Sequence, residues 1–116
     1  MRETPASIII QNGEAHVLTY HKAEVEPPAG VSPLYRRSGF IHPLTAPNGS
    51  VVTGIHPKDH WHHLGLWHAW VKTVHKGREI DFWNLKTGDA TIRYVKTLGV
   101  RRSATVVGFT VMQHHV

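Results

Sequence analysis

Short apolar or β-branched runs in this chain are broken by Asn12-Gly13, Pro27-Pro28, Pro47-Asn48-Gly49, Lys76-Gly77 and Thr87-Gly88-Asp89. Glycine accepts a positive φ at little cost, and proline fixes φ and removes a donor, so such clusters end regular structure. No run between them keeps a 3.6-residue apolar period with a cap at each end. The best helical attempt, His56, His60, His63 and Trp67, is opposed by Pro57 and Gly65. The expected fold class is all-β, an antiparallel β-sandwich or the first sheet of a larger one.

Ile8 to Ile10, the Asn12-Gly13 turn and Ala15 to Tyr20 read as a hairpin. Ser38 to Leu44 is a strand candidate ending at Pro43, and Val51 to Thr53 resumes extended structure after a turn. Gly65 to Val74 has strand composition, with Trp67, Ala69, Val71 and Thr73 expected on one face. Ile80 to Trp83, Thr91 to Leu98 and Ala104 to Met112 complete the series. The last strand stops at Val116 with no turn after it, so residues 1–116 are expected to be a single β-sandwich domain and an N-terminal fragment of a longer protein.

A chain of 116 residues without cysteine holds one modest core and excludes disulfides and thiolate metal sites. The net charge of +5 is dispersed, with Arg36-Arg37 and Arg101-Arg102 as isolated pairs, so no nucleic-acid partner is expected. No segment reaches the roughly 20 apolar residues of a membrane helix, and the N-terminus lacks the apolar core of a signal peptide. The expectation is a soluble protein, cytoplasmic, or periplasmic if a leader is missing.

Chemistry concentrates in Asp59 to Trp70, where four of the eleven histidines and three of the four tryptophans occupy twelve positions. Imidazole binds metals, moves protons near neutral pH and hydrogen-bonds hydroxyls, while indoles offer flat walls for the C–H face of a pyranose. The candidate polar core is His60, His62 and His63 with Asp59, which can orient an imidazole and raise its basicity. His42, its backbone restricted by Pro43, is a converging candidate. At least one of these imidazoles is expected to titrate away from its ordinary value.

On a strand His60 and His62 would share a face, with His63 opposite, and the pair can hold a divalent metal ion if His42, His56 or His68 supplies a third ligand. Gly54, five residues and His60-x-His62 match the opening of the cupin metal motif, but Leu66 and Trp67 stand where its glutamate belongs. Arg37 is a candidate clamp for a carboxylate or phosphate. Trp67, Trp70 and Trp83 are candidate walls. Asp81 is a general base, a third ligand or a turn holder. The motifs of serine hydrolases, zincins, P-loop NTPases and dinucleotide-binding enzymes are absent.

Tyr35 to Leu44, the Pro47-Asn48-Gly49 turn, Asp59-His60-x-His62-His63-x-Gly65-Leu66-Trp67-x-Ala69-Trp70 and Asp81-Phe82-Trp83-Asn84 together resemble the soluble bacterial PmoA-like family. The resemblance runs from about Val17 to Val116. It implies a galactose-mutarotase-like supersandwich, a chain near three hundred residues and a carbohydrate or sugar-acid ligand. Relatives commonly carry arginine where this chain has Leu64. Three functional readings stay open: His/Asp acid–base chemistry on a sugar, a His-ligated metal-dependent oxygenase or cupin-like enzyme, and a non-catalytic sugar-binding module.

Overall fold

The computed structural model describes residues 1–116, and its regular structure is antiparallel β-sheet interrupted by two short 3-10 turns, Pro33–Tyr35 and Leu85–Thr87. Strands β1 (Arg2–Glu3), β2 (Ser7–Asn12), β3 (Ala15–His21), β4 (Phe40–Leu44) and β5 (Leu66–Trp67) form one five-stranded meander in chain order. Strands β6 (Thr73–His75) and β7 (Arg78–Ile80) form a hairpin, and β8 (Ile92–Arg102) and β9 (Val107–His115) a longer one. The all-β, sandwich-like expectation holds. No helix is long and apolar enough to cross a membrane.

Hairpin β2–β3 turns at Gly13, φ 60°, as the Asn12-Gly13 pair requires. The register sets His21, Phe40 and Trp67 in one row across β3–β5, and Tyr20, Ile41 and Leu66 in the next, so the two rows face opposite sides. The β8–β9 hairpin docks on the Tyr20 side. The Phe109 ring lies 5.3 Å from that of Tyr20, and Gln113 Nε2 donates to the Tyr20 hydroxyl at 2.9 Å and the Gly39 carbonyl at 2.8 Å. Ser38 Oγ accepts the Tyr94 N–H at 3.0 Å, which ties β8 to the start of β4. Ile8 and Tyr20 are buried on this side and Phe40 on the other, where the His21 ring stacks on it at 4.6 Å, while Phe82, Ala90 and Ile92 form a second small core.

Two expected strands are shorter than their composition suggested. The stretch from Gly65 to Val74 forms only β5 and β6, because residues 68–70 spend their backbone elsewhere: Arg37 takes the His68 carbonyl and the Phe82 N–H takes that of Trp70. The strand expected over Ile80 to Trp83 ends at Ile80. There Asp81 Oδ1 accepts the N–H of Trp83 at 2.7 Å and of Asn84 at 3.1 Å, closing a side-chain turn.

Candidate functional site

The connection between β4 and β5 carries the histidines. Two isolated bridges, Thr45 with Val51 and Ile55 with Leu64, pinch it into successive lobes, the second containing residues 56–63. At the neck of that lobe the His56 N–H donates to the His63 carbonyl at 2.9 Å and the Gly65 N–H to the Gly54 carbonyl at 2.8 Å. Inside it are two consecutive turns, His60 N–H to the Pro57 carbonyl and His63 N–H to the His60 carbonyl, each 2.9 Å. Pro57 is the first residue of the earlier turn, with Lys58 and Asp59 at its corners. His56 Nδ1 lies 2.7 Å from the Trp61 carbonyl and anchors the lobe from within.

The expected strand alternation of His60, His62 and His63 is therefore replaced by turns, and turns gather what a strand would have split. The three rings pack together, with centroids 4.9 Å apart for His60–His63, 4.5 Å for His62–His63 and 5.9 Å for His60–His62. Trp83 and Trp67 complete the cluster. Trp83 stands edge-on to His63 at 5.8 Å and 4.8 Å from Trp67, and His63 is 6.2 Å from Trp67. His63, Trp67 and Trp83, with Gly54, Ile55, Pro57 and Gly65, line an open cleft of about 400 Å³.

The His62 imidazole is held below its ordinary value of 6.5, chiefly by burial and then by His63 and His60. Asp81 pulls it the other way, and Arg37 adds to the lowering. Asp81 is thus the carboxylate that acts on the cluster as well as the holder of the Trp83 turn. Asp59, expected in that role, is exposed and makes no hydrogen bond or ion pair with an imidazole; the turn it sits on points it outward.

Arg37 lies behind the cleft rather than in it. Its guanidinium sits over the Trp67 ring, 4.3 Å from the centroid, and Nη2 donates to the His68 carbonyl at 3.0 Å. The residue is 0% exposed, and desolvation pulls its pKa down to about 10. A direct clamp on a ligand, as expected from the sequence, is closed to a side chain without surface. Its charge acts through space on the His62 imidazole.

Two expected participants stand apart from the cleft. His42 Nδ1 is 2.8 Å from the Thr53 hydroxyl, and its ring is held below the ordinary value by burial and by His21, not by the loop histidines. Trp70 stacks on His115 with centroids 4.2 Å apart, beside His68 and Phe82 in a second aromatic cluster. His115 was invisible to sequence reasoning because it lies on β9, far along the chain. No three His, Cys, Asp or Glu groups converge in a geometry that would hold a metal ion, so His60 and His62 lack the third ligand a divalent metal centre needs.

Fold and site together define an all-β protein with a histidine–tryptophan cleft at the end of its main sheet. The chain belongs to DUF6807, a family of unknown function, whose model matches residues 7–116. No curated protein and no solved structure matches it.

Proposed function

We propose that the cleft binds a carbohydrate-like small molecule and that His62, with Asp81 beside it, supplies acid–base chemistry on a sugar hydroxyl. The observation that carries this reading is an open cleft lined by His63, Trp67 and Trp83, with the His60 and His62 rings packed against His63 at its side. Indole faces suit the apolar C–H side of a pyranose, and imidazole nitrogens suit its hydroxyls. A neutral His62 is a base near neutral pH, the form its surroundings favour. The residue blocks that resemble the PmoA-like family point the same way, since that resemblance implies a sugar ligand. The partner in this reading is a small molecule, not a nucleic acid.

Tryptophan fluorescence tests the reading. Titration with a panel of hexoses, pentoses and sugar acids is expected to change emission for at least one member, and Trp83→Phe to remove most of that change while Trp70→Phe leaves it. A response lost in Trp70→Phe and kept in Trp83→Phe would move the ligand to the second aromatic cluster. If no sugar in the panel changes emission, the reading fails.

A further inference from the structure

Adjacent arginines have opposite fates in this fold. Arg36 lies at the surface against Glu24 and Glu26, while Arg37, one residue on, is fully buried and belongs to no ion pair. Its Nε and Nη1 have no hydrogen-bond partner, and its one bond goes to a neutral carbonyl. The Trp67 face compensates part of the charge. The remainder is an unpaired buried cation, an arrangement that weakens a fold unless an anion answers it.

No group of the protein supplies that anion at the cleft. The carboxylate that acts on His62 is Asp81, whose Oδ1 is already engaged by the N–H groups of Trp83 and Asn84. Arg37 disfavours protonation of both His62, in the histidine cluster, and His115, in the Trp70 cluster, so its field reaches both. The cleft is thus lined by one imidazole, His63, and two indoles, with His60 and His62 packed against His63, a cation behind Trp67 and one carboxylate committed to a turn.

We infer that the ligand of this cleft is an anionic sugar, a sugar acid whose carboxylate answers the buried charge of Arg37. The inference rests on the carbohydrate reading and narrows it to a substrate class. Ring hydroxyls lie toward the imidazoles and the C–H face toward the indoles, with the carboxylate on the Trp67 side. Arg37 is a positioning residue here, acting through the field at Trp67 without touching the ligand.

Calorimetric titration of the whole chain with galacturonate against galactose, and with glucuronate and gluconate against glucose, separates the inference from the reading beneath it. At least one acid is expected to bind more than about tenfold tighter than its neutral parent, and the margin to shrink with added salt. Arg37→Lys is expected to keep a preference for the acid and Arg37→Met to lose it. Because Arg37→Met also removes the unpaired charge while keeping an apolar chain against Trp67, its melting temperature without ligand is expected to rise. Equal binding of acid and parent would overturn the inference and leave the carbohydrate reading standing; no binding of any of the five would overturn both. If Arg37→Met does not fold, the comparison of acid with parent on the unaltered chain decides alone.

Discussion

At the scale of single residues the cleft turns on which carboxylate works. Asp81 does two jobs: it closes a turn through Oδ1, and its charge opposes the lowering of His62. Asparagine keeps an oxygen acceptor for the turn and loses the charge. In Asp81→Asn, therefore, the His62 titration is expected to move further below 6.5 while the fold stays intact, read from imidazole proton shifts against pH. Asp59→Ala is expected to leave that titration where it is, because no imidazole bonds to Asp59. A large His62 shift in Asp59→Ala and none in Asp81→Asn would reverse the assignment.

At the scale of elements, the histidine lobe depends on a close approach between β4 and β5. Gly65 has φ 54°, and a Cβ there would run into the Ile41 carbonyl oxygen and crowd His42 Cβ at 3.1 Å. Backbone cannot move aside cheaply. Gly65→Ala is accordingly expected to cost more than about 2 kcal/mol of unfolding free energy in a denaturant melt, combining strain at positive φ with the clash. A loss within ~0.5 kcal/mol, the range of an ordinary surface change, would mean that β5 is not held as described.

The elements also show what could be read in the sequence and what could not. The β2–β3 hairpin was legible because Asn12-Gly13 and the runs beside it are local signals, and β8 and β9 because they are rich in β-branched residues. The aromatic and histidine content of the cleft was legible too, including Trp83 from a separate stretch. The turns at His60 and His63 were not, because histidine and tryptophan carry no turn preference strong enough to outvote a strand pattern. Arg37's burial and the Trp70–His115 stack depend on contacts across many residues, which no local pattern encodes.

Across the whole molecule, the sheet, the histidine lobe and the β8–β9 hairpin each carry a half-buried imidazole whose protonation opposes folding. His42, His62 and His115 are each held below 6.5, with burial the first cause in every case. As acid is added the unfolded chain takes protons first, at 6.5, while the folded chain resists. Stability is thus full above pH 6.5 and lost as pH falls from there through the lowered folded values. The melting temperature is expected to be level just above that pH and to decline below it, with a smaller decline in His62→Gln. A melting temperature that rises on acidification through the same window would contradict the lowered values.

The claim on which the rest depends is that residues far apart in the chain, His60, His62 and His63 in the lobe, Trp67 on β5 and Trp83 beyond β7, form one ligand-binding surface. Two-dimensional NMR of the imidazole and indole groups during titration with the tightest sugar acid measures this most directly. Signals of His62, His63, Trp67 and Trp83 are expected to shift together along one binding curve, with His42 and Trp70 unmoved. Shifts confined to Trp70 and His115, or scattered over the surface with no common curve, would contradict it.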